Sequence, residues 1–118
     1  MSDNLEITHE ECTQHLRAVQ DAMYVLNGKW KIPIITTLFF HTKRRFSDIR
    51  NDVKGISHKM LSKELKELET NKFIKRTVLN TKSLAVEYEL TTYGQKLETV
   101  IMDLARFGIE HRKEIVKS

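Results

Sequence analysis

The chain has 118 residues, of which 40% are apolar and 31% charged, and it carries a formal net charge of +4. This composition is typical of one folded domain and excludes a disordered chain. The longest apolar run, around Ile32 to Phe40, is far shorter than the roughly 20 residues of a membrane helix, and the acidic N-terminus does not resemble a signal peptide. A single cysteine cannot form an internal disulfide. We therefore expect a cytoplasmic protein with no membrane association.

Basic charge is concentrated in the middle of the chain. Between Lys43 and Lys82 there are 12 Lys and Arg against 5 Asp and Glu, a balance of +7, whereas the remainder has 8 against 11, a balance of −3. Such an asymmetry favours a polyanionic partner.

The N-terminal third is predicted to contain an arm and two helices. Residues 1–13 are polar and are expected to form the arm, and apolar residues then recur at helical spacing over 14–27, where Asn27-Gly28 can end the helix. Trp30, predicted to be a core anchor, leads into the second helix. Pro33 is compatible with that helix because it falls in the first turn.

The stretch 46–71 predicts two helices joined by a tight turn, a helix-turn-helix unit. The apolar residues of its first helix repeat at helical spacing: Phe46, Ile49 and Val53. Ser47 is placed to cap this helix, and Gly55 can supply the left-handed residue that ends it. Ser57 is the predicted N-cap of the second helix.

The second helix of this unit has one apolar and one basic face. Its predicted buried face consists of Met60, Leu61, Leu65 and Leu68. The opposite face carries Lys59, Ser62, Lys63, Lys66 and Thr70. Because lysines neutralise phosphates and hydroxyls reach base edges, we interpret it as a recognition helix. The alternative is an ordinary solvated face on which lysines pair with Glu67 and Glu69.

Basic residues also flank the two-helix unit. Residues 41–45 are predicted to be a loop whose Arg44 and Arg45 clamp the phosphate backbone, although a solubilising loop is the simpler alternative. Phe73–Leu79 and Ala85–Leu90 alternate at period two and predict a hairpin. The hairpin is interpreted as a wing, with Lys82 at its tip reaching a groove or a phosphate. The predicted fold is mainly α with a small β-hairpin: a single winged helix-turn-helix domain over 1–118, with its wing at 73–91.

The final segment, 92–117, is predicted to be a helix with an apolar stripe larger than a small domain can cover. Such a stripe usually pairs with a second copy of itself, so we expect a homodimer built from helices 14–27 and 92–117. The predicted interface residues are Leu16, Val19, Leu97, Ile101, Leu104, Gly108 and Ile115.

Three segments, NGKWKIPII, KRRFSDIRNDVKGISHKMLSKELKELETNKFIKRTV and VEYELTTYGQKL, resemble the HxlR-type transcriptional regulators, which are winged-helix repressors related to the MarR group. The resemblance covers about Cys12 to Gly108. It implies a dimer whose recognition helices enter the major groove of a pseudo-palindromic operator, with Ser57, Lys59, Ser62 and Lys63 contacting DNA beside Arg45. The family wing usually carries prolines where this chain reads KSLAVEY, which predicts a more mobile tip.

Cys12 stands where that family often has a cysteine, which several members use to sense oxidants or electrophiles. A helix N-terminus favours a reactive thiolate, whereas the neighbouring Glu10 and Glu11 disfavour it and no second cysteine is present. A sensing role, and the identity of any effector, therefore stay open. His9, Cys12 and His15 recur every three residues, but a zinc site needs a fourth ligand, so neither a metal nor another cofactor is expected.

No catalytic motif is recognisable. Gly28-Lys29 lacks the upstream glycine of a phosphate-binding loop, and there is no nucleophile elbow. We predict that the protein is not an enzyme. Two functions remain: sequence-specific binding of double-stranded DNA by a homodimeric regulator, and a winged-helix module that binds another protein through its C-terminal stripe.

Overall fold

The computed structural model describes residues 8–80, 82–83 and 85–117. Over these ranges the elements are α1 (His9–Val25), α2 (Lys31–His41), β1 (Lys43–Arg45), α3 (Phe46–Asp52), α4 (His58–Thr70), β2 (Ile74–Asn80), β3 (Ala85–Leu90), a 3-10 turn (Gly94–Leu97) and α5 (Glu98–Lys117). The arrangement is the predicted winged helix-turn-helix. Among the described helices, none combines the length and apolar character required to cross a bilayer.

The first helix begins earlier than predicted. α1 starts at His9, so the predicted arm is wrong for residues 9–13, and residues 1–7 lie outside the described residues. The reason is local, because the Thr8 hydroxyl accepts a hydrogen bond from the Glu11 backbone N–H at 3.1 Å. A threonine followed three residues later by a glutamate is a helix-start pattern that the interpretation overlooked.

The core lies where α2, α3 and α4 pack together and against the sheet. Its fully buried side chains include Ile34, Ile35, Leu38, Ile49, Leu61, Leu65 and Leu68. The predicted apolar face of α4 is thus confirmed, with Met60 partly buried at its edge. Trp30 is also only partly buried and packs against this cluster from outside.

The helix-turn-helix unit matches the predicted capping pattern at the start of α4 and differs from it at the start of α3. The Ser57 hydroxyl accepts a hydrogen bond from the Met60 N–H at 3.1 Å, which confirms the predicted cap. Gly55 has the predicted left-handed conformation, with φ +90°, but α3 already ends at Asp52. The predicted Ser47 cap is wrong, because α3 begins at Phe46 and places Ser47 inside the helix. The Asp48 carboxylate instead accepts from the Arg45 backbone N–H at 3.4 Å.

The sheet has three strands among the described residues, in the order β1-β3-β2, all antiparallel. The predicted loop over 41–45 is wrong for β1, in which Arg44 pairs with Tyr88 and Arg45 with Glu87. The hairpin itself is confirmed, with β2 shifted one residue later than predicted. Thr81, in the turn predicted over Asn80–Ser83, and Leu84, which follows that turn, lie outside the described residues.

The first and last helices are almost entirely exposed. α1 has no buried residue, and in α5 only Ile101 is buried. A long helix that has apolar residues on its surface and only one or two residues in contact with the core requires a further packing surface for stability.

Candidate nucleic-acid interface

The outer face of α4 lies at the protein surface. Its polar residues, Ser57, Lys59, Ser62, Lys63, Lys66 and Thr70, are all exposed. The leucines on the other side of α4 enter the core and fix this orientation. The lysine-bearing face is therefore available to a partner, as the sequence predicted.

A basic cleft of about 980 Å³ separates α4 from the sheet. Four cationic side chains line it, Arg45 before α3, Arg50 within α3, Lys66 on α4 and Arg76 on β2, together with a single carboxylate, Glu69. Among the described residues none of these four cations forms an ion pair within 4 Å. Such a concentration of positive charge in one cleft favours negatively charged groups such as phosphates.

Arg44 does not line this cleft. Its Nε and Nη2 donate to the Asp52 carboxylate at 3.0 and 2.8 Å, and the Thr37 hydroxyl donates to the same carboxylate at 2.5 Å. The side chain is only 24% exposed. The structure therefore places Arg44 in an ion pair that connects β1 to α2 and α3, and not at an open basic corner.

Asp52 should make stability depend on pH. Partial burial would raise the pKa of Asp52, but hydrogen bonds from Thr37 and Arg44 and the Arg44 charge outweigh it and lower the pKa below 3.8. A lowered pKa stabilises the folded state above the unfolded-state value, and this stabilisation is lost as pH falls through the folded-state value. We expect the free energy of unfolding to fall below about pH 4. Urea titrations at pH 6 and pH 3 should show the difference between wild type and Asp52→Asn shrinking at pH 3, and a constant difference would contradict it.

Lys63 is exposed but paired. Its Nζ lies 3.3 Å from Glu67 Oε2, and its side chain is 62% exposed. The surface-pair alternative thus describes part of this helix correctly. An exposed pair of this kind contributes little to stability, so a phosphate can compete for the lysine.

Sequence reasoning missed three residues of the cleft: Arg50, His58 and Arg76. His58, the first residue of α4, packs its ring 4.5 Å from that of Phe46. Arg76 pairs with Tyr88 across the hairpin, so by the period of two it shares the inward face with Ile74. An arginine on the inward face of a strand indicates that the strand borders a cleft there. The cleft could therefore have been predicted from Arg76.

The remaining predicted site residues lie elsewhere. Lys82 is exposed beside the hairpin turn, where its backbone N–H donates to Asn80 Oδ1 at 2.9 Å. Cys12 is exposed on α1. In the part of the chain that the structure describes, no group of three or more His, Cys, Asp or Glu side chains is arranged to hold a metal ion.

A helix-turn-helix with an outward basic helix and an adjoining hairpin wing defines the winged-helix class of DNA-binding proteins. The sequence model of the family described as HxlR-like helix-turn-helix matches residues 25–116. The chain belongs to this family and is a helix-turn-helix transcriptional regulator.

The similar proteins agree with this assignment. The chain is 38% identical to the HTH-type transcriptional regulator YtcD of Bacillus subtilis, over 80% of this chain and 74% of YtcD. The crystal structure of YtcD matches 80% of this chain and 96% of that chain, with a TM-score of 0.75. The reduced form of the redox regulator HypR is 31% identical, covers 86% of this chain and 99% of that one, and has a TM-score of 0.73. The relatives are regulators and not enzymes, which points to a non-enzymatic function.

Proposed function

We propose that this protein is a cytoplasmic, sequence-specific repressor that binds a pseudo-palindromic operator as a homodimer. The basic cleft carries the proposal, because its four cations, which form no ion pair within the described part of the chain, adjoin the exposed polar face of α4. In the proposed complex, α4 enters the major groove and its hydroxyls and lysines reach base edges. The phosphate backbone passes through the cleft, and the hairpin with Lys82 follows the next groove.

Exposed apolar side chains on α1 and α5 support the homodimer. They include Leu16, Val19 and Met23 on α1, and Val100, Met102, Leu104, Phe107, Ile109, Ile115 and Val116 on α5. Two of the predicted interface residues contribute less surface than expected, since Ile101 is buried in the core of its own subunit and Leu97 packs against that core. Gly108 has open space around its Cα, which would permit close approach of a second helix.

Regulation of DNA binding by an oxidant or electrophile is a finer part of the proposal. The similar HypR structures are described as reduced and oxidised forms of a redox regulator. In this chain the corresponding chemistry would fall to Cys12, which is exposed. Because it is the single cysteine, a disulfide would have to join two subunits or a small thiol.

Leu104→Lys tests the homodimer. Burying one leucine contributes about 1.5–3 kcal/mol, and a two-fold interface carries the change twice, so we expect a loss of about 3–6 kcal/mol in dimer stability. Sedimentation at micromolar concentration should then show a monomer, and footprinting of a selected duplex should lose its two half-sites, spaced roughly 34 Å in the wild type.

Glu110→Lys is the matched control for this experiment. It introduces the same residue about 240° further around α5, on a face with few apolar side chains, and should leave the dimer intact. A Leu104→Lys protein that remains dimeric would contradict the proposed interface. A wild-type monomer that ignores DNA and binds another protein would favour the interaction-module alternative.

A further inference from the structure

A buried lysine connects α4 to the start of α2. Lys31 is 2% exposed, and its Nζ donates to Glu64 at 2.5 Å and to Glu67 at 2.6 Å, both on α4. The same Nζ donates to the Asn27 side chain at 3.1 Å, in the corner between α1 and α2. One ammonium group therefore uses all three donors to connect α4 with this corner.

The charges of this cluster are balanced within the protein. Burial would lower the pKa of Lys31, but hydrogen bonds to Glu64 and Glu67 and their negative charges raise it above its ordinary value. The pKa of Glu67 is lowered by hydrogen bonds from Lys31 and then from Lys63. Lys31 thus stays charged at neutral pH, and Glu67 is shared between a buried lysine and one on the DNA-facing side.

A lysine in this position cannot touch DNA itself, because it is buried between α2 and α4. A packed apolar pair would stabilise the same contact as well or better, since buried ion pairs often contribute no net stability. Directional hydrogen bonds to two carboxylates one turn apart do constrain the rotation of α4 about its axis. That rotation decides which side chains of α4 point toward base edges.

We propose that Lys31 is a positioning residue that sets the orientation of the recognition helix and, through Glu67, the placement of Lys63. This inference rests on the proposed function, because it assumes that α4 reads DNA. A positioning role predicts an effect on the preference for one DNA sequence over another. Loss of the tether should weaken binding to the selected sequence and leave sequence-independent attraction to phosphates unchanged.

The experiment uses full-length protein and a duplex selected by the wild type from a random library, with a scrambled duplex of equal composition for comparison. The variant Lys31→Met with Glu64→Leu removes one charge of each sign and replaces the buried pair with apolar groups, which favours retention of the fold. The ratio of dissociation constants for scrambled and selected duplexes is expected to fall about tenfold, with the scrambled value unchanged. The control Lys29→Met with Glu98→Gln makes the same change in charge at exposed positions and should keep the wild-type ratio.

Glu67→Gln provides a second test that does not alter a buried residue, since the Glu67 side chain is 41% exposed. It removes the charge of Glu67, which leaves at most a neutral hydrogen bond to Lys31 and releases Lys63, so binding to the scrambled duplex should strengthen while the ratio falls. Folded variants that keep the wild-type ratio would overturn the positioning role alone. A wild type that selects no duplex would overturn the proposed function and the positioning role with it.

Discussion

Raising the salt concentration from 50 to 200 mM should weaken binding of the proposed dimer to duplex DNA by roughly 10⁴-fold. Four unpaired cations in the cleft of each subunit give about eight phosphate contacts per dimer, and each contact contributes about −0.9 to the slope of log affinity against log salt concentration. The expected slope is therefore about −7. Fluorescence anisotropy with a labelled duplex at four or more salt concentrations would measure it, and an affinity independent of salt would contradict the electrostatic interface.

Single substitutions should show how much each residue contributes to this salt dependence. Arg76→Ala removes one contact from each subunit and should make the slope shallower by about 1.8, with a similar loss of affinity on every sequence. Arg44→Ala is the informative comparison, because its guanidinium is already held by Asp52. It should reduce stability and leave the slope unchanged. A large change of slope in Arg44→Ala would instead support the prediction from the sequence that Arg44 contacts the phosphate backbone.

Gly94→Ala should destabilise the fold by about 3 kcal/mol or more. A Cβ at Gly94 would lie 2.0 Å from the backbone oxygen of Phe73 and 2.9 Å from its carbonyl carbon. Both backbone segments are held in place by Thr91. The Phe73 oxygen accepts a hydrogen bond from the Thr91 N–H at 3.0 Å, and the Gly94 N–H donates to the Thr91 hydroxyl at 2.8 Å. Relief would require separating the 3-10 turn from the base of the wing.

Thermal denaturation would measure this effect as a decrease in Tm of roughly 10–20 °C. Gln95→Ala, the adjacent exposed position in the same turn, is the control and should shift Tm little. A Gly94→Ala protein as stable as wild type would show that Gly94 can separate from Phe73 at low cost. The substitution also tests whether DNA binding survives loosening of the wing, since Phe73 immediately precedes β2.

The parts of the fold that were predicted correctly depend on neighbours in sequence. The Ser57 cap and the apolar stripe of α4 arise within one or two helical turns, so residue spacing is enough to define them. β1 was missed because three residues are too few to show a period, and its pairing partner lies more than 40 residues later. Thr8 was missed although its signal was present, because the acidic segment was interpreted as an arm.

The site was less predictable than the fold, because its charges are arranged by tertiary contacts. Lys31 meets Glu64 and Glu67 at separations of 33 and 36 residues, and no local pattern indicates that pairing. Likewise Arg44 and Arg45 are adjacent in sequence, yet the first is paired with Asp52 and the second faces the cleft. Counting basic residues located the basic segment of the chain, but only packing separates the cations that are neutralised internally from those that are not.

The order of the sheet determines where self-association can occur. β3 lies between β1 and β2, so its backbone groups are used on both sides, whereas β1 and β2 each have one edge that pairs with no other described strand. Lys75 and Arg76 place adjacent positive charges on that edge strand. Like charges discourage edge-to-edge growth of a sheet into fibrils. Edge-to-edge pairing through β2 is therefore disfavoured, and concentrated protein is expected to remain free of β-aggregates.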